Sequence, residues 1–198
     1  MTTIAELNIQ KQYDQQAKGD LIGSPGGLQV VAKEYGDAGL HRTVLTLTDL
    51  PVNIVSVTTG NGVGGALLYQ LAAGHIRFRG ASANLSLRIA TAKQADFTDA
   101  TPEGDLGIGT VAPANADALG TDATDDDICT ATAFTCSSYA DTSITLPPED
   151  DLNKDGTSSA VAVYLNALVD AADIDDDVTT EILVSGTVIL TWQNVGDY

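Results

Sequence analysis

Two histidines, His41 and His75, are the only side chains in the sequence that titrate near neutral pH as an ordinary general base. A serine or cysteine nucleophile needs such a base within hydrogen-bonding reach. Neither histidine neighbours a nucleophile in a Gly-x-Ser-x-Gly turn or a similar motif. We therefore expect both histidines to be solvated residues at strand edges, and we predict that the protein is not an enzyme.

Aspartates are numerous enough to suggest a metal site. Residues 151–156 (Asp-Leu-Asn-Lys-Asp-Gly) place oxygen-bearing side chains at positions 1, 3 and 5 of a calcium loop and glycine at position 6. Position 12, where a bidentate glutamate normally closes the shell, is Ala162, and a predicted strand follows instead of a helix. A surface turn is expected, with a cation site built on Asp151, Asn153 and Asp155 as the alternative. Residues 125–127 and 173–177 are likewise predicted to be solvated acidic loops, and no metal or cofactor is predicted.

Carboxylate pairs could also hydrolyse glycosides. Clefts that cleave sugars usually offer aromatic platforms, however, and the chain has one tryptophan and three phenylalanines. Trp192 shares a predicted strand face with Val188 and Leu190, which indicates a core residue. A polysaccharide depolymerase is therefore disfavoured.

Residues 104–110 (Gly-Asp-Leu-Gly-Ile-Gly-Thr) contain a Gly-x-Gly pair, but no helix follows it and no Lys-Ser/Thr pair accompanies it. This excludes a phosphate-binding loop. Gly107 and Gly109 leave one strand face bare, which suits the close approach of another backbone. A subunit contact and tight packing within the sheet would both use such a face.

Cys129 and Cys136 are the only cysteines. If one strand connects them, their odd spacing sends the side chains to opposite faces, about 20 Å apart. The intervening residues contain no glycine, proline, asparagine or aspartate that would favour a hairpin. We therefore expect two reduced, partly buried thiols.

The formal net charge of −18 is unevenly distributed. Residues 1–93 contain eight lysines and arginines against six carboxylates, whereas residues 94–198 contain Lys154 alone against 21 carboxylates. Such a field repels phosphate backbones, so no nucleic-acid partner is expected. No signal peptide and no apolar run of membrane-spanning length is present, so no membrane partner is expected and assembly should occur in a cytoplasm.

Period-2 alternation dominates the sequence from residue 28 onward. The predicted strands are residues 28–35, 40–48, 52–58, 75–79, 83–90, 105–111, 128–136, 143–146, 160–168 and 181–192. Gly186 suggests a bulge in the last strand, and no helix is predicted beyond a turn at residues 115–119. The pattern predicts an all-β fold, an antiparallel β-sandwich of jelly-roll-like form.

Residues 1–26 differ from the remainder because they are rich in glutamine and charge and end in Gly-Ser-Pro-Gly-Gly. They predict an extended N-terminal arm that becomes ordered on a partner, with a frayed terminus as the alternative. The predicted domain organisation is an arm, residues 1–26, followed by a single β-sandwich domain, residues 27–198.

The acidic β pattern, rich in threonine, alanine and glycine, resembles small virion proteins that decorate the capsids of tailed bacteriophages. Segments 74–87, 104–110, 172–179 and 184–192 carry the resemblance, which extends in style over residues 27–193. It implies a β-sandwich that sits on the shell as a homotrimer, with no catalytic residues.

A decoration, or cement, protein would bind the major capsid protein on the outer surface of the virion and stabilise the shell. The near-neutral half of the chain, with Arg77, Arg79 and Arg88, is expected to contact the shell, and the acidic half to face solvent. A tail-fibre or receptor-binding β module is the alternative function.

Overall fold

A computed structural model describes residues 29–37, 40–57, 60–71, 73–113, 119, 124–136, 142–149 and 152–196. The predicted arm, residues 1–26, lies outside these ranges, as does most of the predicted turn at residues 115–119. The described residues form ten strands: β1 Val30–Asp37, β2 Leu40–Val57, β3 Gly60–Gln70, β4 Gly74–Ile89, β5 Glu103–Gly109, β6 Cys129–Thr135, β7 Thr142–Leu146, β8 Asn153–Gly156, β9 Ala162–Val169 and β10 Thr179–Asn194. A 3-10 helix, Thr91–Asp96, which the sequence did not predict, connects β4 to β5.

Every strand pair is antiparallel, and the strand order is β6-β5-β9-β3-β2-β10-β4-β7, with β1 paired to β2 and β8 paired to β4. This confirms the all-β, jelly-roll-like prediction. The sheet curls so that β1, β2, β10, β4, β7 and β8 form one layer and β3, β9, β5 and β6 form the other. Among the described residues, no helix combines the length and the hydropathy that a membrane span requires.

The two sides of the curled sheet differ. On one side β6 approaches the end of β7 through a bridge between Cys129 and Pro148, and Thr130 donates its backbone N–H to the carbonyl of Pro147 at 3.1 Å. On the other side β3 pairs with β2 only near their shared turn, from Val55 opposite Val63 onward. The two layers therefore meet along β6 and β7, whereas the described residues of β1 and β3 do not pair with each other.

The inner faces of the strands alternate as the sequence predicted. Ala83, Leu85, Leu87 and Ile89 of β4 are all buried. Each lies in a strand position two residues from the next, so one β4 face packs into the core while the other faces outward. The predicted core position of Trp192 is also confirmed, because it is 2% exposed.

Two long strands each replace two predicted ones, β4 in place of residues 75–79 and 83–90 and β2 in place of residues 40–48 and 52–58. Residues 40–48 and 52–58 were expected to be separate because Asp49-Leu-Pro51 resembles a turn. Instead β2 runs through this point with a bulge: Asp49 has a φ of 45°, and the pairing with β10 shifts between Val184 and Gly186. The irregularity predicted at Gly186 is thus present. The extra residue lies in β2, since its inward residues change from Leu47 to Leu50 at this bulge.

The sequence analysis did not predict two of the strands, β3 and β8. β3 contains four glycines, which dilute its alternation and resemble a turn. β8 is only four residues long and overlaps the calcium-loop pattern. Pairing with β9 and β4 respectively, and not intrinsic propensity, defines both strands.

Candidate binding surface

The outward face of the first layer carries several hydroxyl groups. Pairing across the layer places Val31, Thr46, Thr187, Asn84 and Thr145 in one row from β1 to β7. The next row is built in the same way from residues of β1, β2, β10 and β4, namely Lys33, Val44, Ile189 and Ser82. Such short side chains on a paired sheet form a rigid surface that loses little side-chain entropy on binding.

Basic side chains are concentrated on this face. Lys33 and Arg42 lie on it from β1 and β2, and Arg77 and Arg79 from β4. Arg79 donates its Nε–H to Oε1 of Gln193 at 2.8 Å. This hydrogen bond holds the guanidinium near the C-terminal end of β10. We call these four residues the cationic face.

Carboxylates also lie on this side of the sheet. Arg88 lies farther along β4 and pairs with Asp49, with 3.3 Å between Nη2 and Oδ1. Asp155 lies at the edge, on β8, where its Oδ1 is 3.7 Å from Nδ1 of His75. Arg77, Arg79 and Arg88 were predicted to share a binding face, and they do share one side of the sheet. Lys33 and Arg42 were not predicted, although strand alternation would have placed them there.

The separation of charge follows faces and not halves of the sequence. β10, from the acidic half, lies between β2 and β4 of the near-neutral half, and β9 lies beside β3. The two halves of the sequence are therefore interleaved in the described sheet, and which side of the protein contacts a partner stays a prediction. A cationic sheet face exists because β10 carries only Glu181 as a charged residue.

Acidic side chains gather at the opposite end of β10. The segments 96–105 and 170–177 are joined by a bridge between Phe97 and Ile174 and by a hydrogen bond from the N–H of Glu103 to Oδ2 of Asp173 at 2.8 Å. They carry nine carboxylates: Asp96, Asp99, Glu103, Asp105, Asp170, Asp173, Asp175, Asp176 and Asp177. We call this group the acidic end. Of the predicted solvated run 173–177, residues 175–177 are exposed, whereas Asp173 is half-buried and Ile174 is buried.

A cleft of about 450 Å³ lies at the acidic end between β5, β6 and the end of β9. Asp105 lines this cleft, and burial, followed by the neighbouring charge of Asp170, raises its pKa. Among the described residues, no group of three or more potential ligands could hold a metal ion. The carboxylates of Asp105 and Asp170 thus repel each other in this cleft, and the described residues around them do not form a metal site.

His41 is not the solvated residue that the sequence suggested. Its Nδ1 lies 2.7 Å from Oε1 of Glu34, and its ring stacks on Trp192 with 4.2 Å between centroids. Tyr69 donates its hydroxyl to Oε2 of Glu34 at 2.9 Å, and Trp192 donates its Nε1–H to Thr43 at 2.9 Å. The prediction failed because Glu34 and Trp192 approach His41 only through strand pairing. His75 is half-exposed beside Asp155.

The acidic run at residues 125–127 is also not a solvated loop. Asp125 is 2% exposed and Asp127 is 9% exposed. Asp127 accepts hydrogen bonds from the N–H and the hydroxyl of Thr110, both at 2.8 Å, and its Oδ2 lies 2.5 Å from Nζ of Lys154. Lys154, the one base of the acidic half, thus neutralises a buried carboxylate.

The glycines of β5 allow close approach within the chain itself. A Cβ added to Gly109 would lie 2.3 Å from the backbone carbon of Asp125, and one added to Gly107 would lie 3.0 Å from Cβ of Asp126. The same connection is held by Asn166, whose side-chain amide donates to the carbonyl of Asp125 at 2.6 Å. The bare strand face is therefore covered by residues 125–126 and does not support a subunit contact.

The calcium-loop pattern adopts a different structure where it is described. Asn153–Gly156 pairs with β4 as strand β8, while Asp151 lies outside the described residues. Oδ1 of Asp155 accepts two hydrogen bonds from Thr157, from its hydroxyl at 2.7 Å and its N–H at 3.0 Å. These bonds lower the pKa of Asp155, the hydroxyl contributing most.

Both cysteines are free, as predicted, and both are fully buried. They do not point to opposite faces: a bulge in β6, between the partners of Leu106 and Ile108, adds one residue and restores both thiols to the core side. Burial, and then the charge of Glu149, raises the pKa of Cys129 to about 12.

Comparison with known proteins gives no family assignment. No protein-family model and no curated protein matches the sequence. Two solved structures of infectious bursal disease virus, strains Gt and Gx, match at 12% and 13% identity, with TM-scores of 0.40 and 0.38. They cover 94% and 91% of this chain, which spans about two fifths of theirs (42% and 40%).

A chain of the capsid asymmetric unit of cyanophage Pam1 matches at 16% identity with a TM-score of 0.33. The match covers 87% of this chain and 97% of the cyanophage chain. At these identities and TM-scores, the likenesses assign neither a family nor a function to the protein.

Proposed function

We propose that the protein is a non-enzymatic decoration protein that binds the outer surface of a bacteriophage capsid between capsid subunits and stabilises the shell. The observation that carries the proposal is the cationic face, a paired sheet surface on a protein whose net charge is −18. The resemblance of the sequence to phage decoration proteins supplies the class of partner.

The charge distribution gives a binding orientation. A protein of large negative charge is repelled by most acidic surfaces, so only a locally cationic patch can approach one closely. Lys33, Arg42, Arg77 and Arg79 supply that patch, and the Thr- and Ser-rich rows beside them supply hydrogen-bonding groups. The acidic end lies at the far end of β10, outside the proposed contact.

Binding to undecorated capsids tests the proposal. Purified protein is mixed with capsids that lack it, and co-sedimentation is measured as a function of protein and salt concentration. Saturable binding that weakens as salt rises is expected, because exposed charges are screened. Absence of sedimentable binding at every salt concentration contradicts the cement function.

Charge reversal locates the binding face. Arg42→Glu should weaken capsid binding by about tenfold, equivalent to about 1.4 kcal/mol. Lys93→Glu changes the net charge equally but lies beside the acidic end, where Lys93 pairs with Asp96, so its binding should remain close to that of the parent protein. Equal losses in the two variants would indicate a net-charge effect and no cationic binding face.

A further inference from the structure

The outer edge of β1 is an unpaired sheet edge in the described part of the chain. The N–H of Thr48 donates to the carbonyl of Gln29 at 2.9 Å, so the odd-numbered residues of β1 exchange hydrogen bonds with β2. The backbone groups of Val30, Ala32 and Glu34 consequently point away from β2. No described strand receives them.

β1 carries two features that protect natural edges, the outward Lys33 and the inward carboxylate of Glu34, but it is eight residues long and contains no proline. Of the other strands that pair mainly on one side, β6 contains seven residues and is bridged to Pro148 at one end, β7 contains five residues and β8 four. An unpaired edge of this length is a template for one more strand.

Exposed apolar side chains lie on the strands around this edge. Val31 of β1 and Leu67 of β3 are each 37% exposed, and Leu40 of β2, opposite Asp37 at the end of β1, is 48% exposed. β3 contacts β1 through the hydrogen bond from the hydroxyl of Tyr69 to Glu34. A strand added to the edge of β1 would therefore lie near exposed apolar side chains.

We propose that residues 3–10 of a second copy add to the free edge of β1 as a further strand. Residues 1–28 of each chain lead directly to Gln29, at the start of this edge. Within them Ala5, Leu7 and Ile9 alternate with Glu6, Asn8 and Gln10, which is the pattern of a strand with one apolar face. The eight residues of this stretch match the length of β1.

The chain geometry favours exchange between copies over folding back. A hairpin through the Gly-Ser-Pro-Gly-Gly sequence at residues 23–27 would place roughly residues 14–22 against β1, and these include Asp14, Lys18 and Asp20. The alternating stretch would then overshoot the edge. Residues 11–28, when extended, reach about 60 Å, which is enough to reach a neighbouring copy.

This inference deepens the proposed function, since it names the partner of the N-terminal arm, but its test needs no capsid. The full-length protein is examined by light scattering coupled to size exclusion at micromolar concentration. The parent protein should give the molar mass of an oligomer, at least twice the 20.4 kDa of one chain. A donor-deficient variant, Leu7→Asp/Ile9→Asp, and an edge-blocked variant, Ala32→Pro, should each give a monomer.

Complementation identifies strand exchange. The donor-deficient variant retains an intact edge, and the edge-blocked variant retains an intact donor, so an equimolar mixture should form a 1:1 heterodimer. Ala32→Val, which keeps the N–H of residue 32, and Glu6→Ala/Asn8→Ala, which keeps the apolar face, are the matched controls and should associate like the parent.

The outcomes are decisive in either direction. A monomeric parent protein, an unchanged mass for Leu7→Asp/Ile9→Asp, or a mixture that fails to associate overturns the proposal. If Ala32→Pro does not fold, as judged by circular dichroism, the donor-deficient variant alone decides, because its substitutions lie outside the described sheet. Capsid binding by a monomeric parent would leave the decoration function standing and reject the exchange.

Discussion

The environment of Asp127, in the connection between β5 and β6, is set by contacts with residues of other parts of the chain. Asp127 would be solvated in an isolated loop, yet it is buried against Thr110 and Lys154. A buried carboxylate is tolerated only when it is paired and hydrogen-bonded, since desolvation otherwise costs several kcal/mol. Lys154 is thus an internal counterion and is not part of the cationic face.

Removal of that counterion should be costly. Lys154→Ala leaves Asp127 buried with only the two hydrogen bonds from Thr110, and we expect the free energy of unfolding to fall by about 3 kcal/mol. Lys93→Ala removes a more exposed ion pair with Asp96 and should cost less than about 1 kcal/mol. Urea denaturation of both variants measures the difference. Equal effects would mean that the interior pair is worth no more than a surface pair.

Two aspartates should respond to pH in opposite directions. The pKa of Asp105 is raised in the folded protein, first by burial and then by Asp170, so its ionised form opposes folding at neutral pH and protonation relieves this as pH falls through the folded pKa. Asp105→Asn should therefore raise the melting temperature at pH about 7, with the gain disappearing toward pH about 4.

Asp155 provides the contrast, because hydrogen bonds from Thr157 lower its pKa. Its contribution is present above the unfolded pKa and is lost as pH falls through the folded pKa. Asp155→Asn should therefore lower the melting temperature at pH about 7. Thermal melts of both variants across this range provide the measurement, and parallel curves for the two would contradict the assigned environments.

At the scale of the strands, β5 shows why glycine can be a packing requirement. Its outward face is covered by residues 125–126, which approach Gly107 and Gly109 too closely for most side chains. Asn166 on neighbouring β9 anchors the same connection through the carbonyls of Val111 and Asp125. The glycines of β5 therefore allow residues 125–126 to pack directly on its outward face, and residues 106–109 of β5 are buried on both faces.

Alanine substitutions in β5 should follow the available space. Gly109→Ala would force a Cβ to 2.3 Å from the Asp125 backbone and should destabilise the fold by about 3 kcal/mol. Gly107→Ala meets a side-chain atom at 3.0 Å and should cost about 1 kcal/mol. Chemical denaturation ranks the two variants. Unchanged stability with weakened self-association would instead restore the subunit contact that the sequence suggested.

At the scale of the molecule, like charges dominate the electrostatics. The nine carboxylates of the acidic end are brought together from two segments, and Lys93 is the only basic side chain with a described ion pair there. Repulsion of this kind lowers the stability of the compact state and falls with ionic strength. The cationic face, at the other end of β10, does not neutralise it.

Salt should therefore stabilise the protein. Raising sodium chloride from about 0.02 M to about 0.5 M shortens the screening length from about 20 Å to about 4 Å, and the melting temperature should rise. Calcium and a non-coordinating salt at equal ionic strength should give the same rise. A larger rise with calcium that a chelator reverses would instead indicate a specific cation site, with Asp151, Asn153 and Asp155 as the first residues to substitute.

The sequence by itself determined the fold class and much of the core. Period-2 alternation in β4 placed Ala83, Leu85, Leu87 and Ile89 inward, and Trp192 was assigned to the core in the same way. These assignments held because alternation is a local property of a strand whose one face is buried. The three arginines of β4 needed more than alternation. The register shift opposite Thr191 and Trp192 makes Arg79 an extra residue of β4, and this shift brings Arg77 and Arg88 to one side of the sheet.

Only the tertiary structure decided which residues meet across strands. Glu34 reaches His41 and Tyr69, and Lys154 reaches Asp127, through pairings that no local pattern encodes. Bulges in β2 and β6 reversed the alternation and moved Leu50 and Cys136 to the core side. A single inserted residue moves every later side chain of a strand to the opposite face. The face on which a residue lies therefore depends on strand partners that are far away in the sequence.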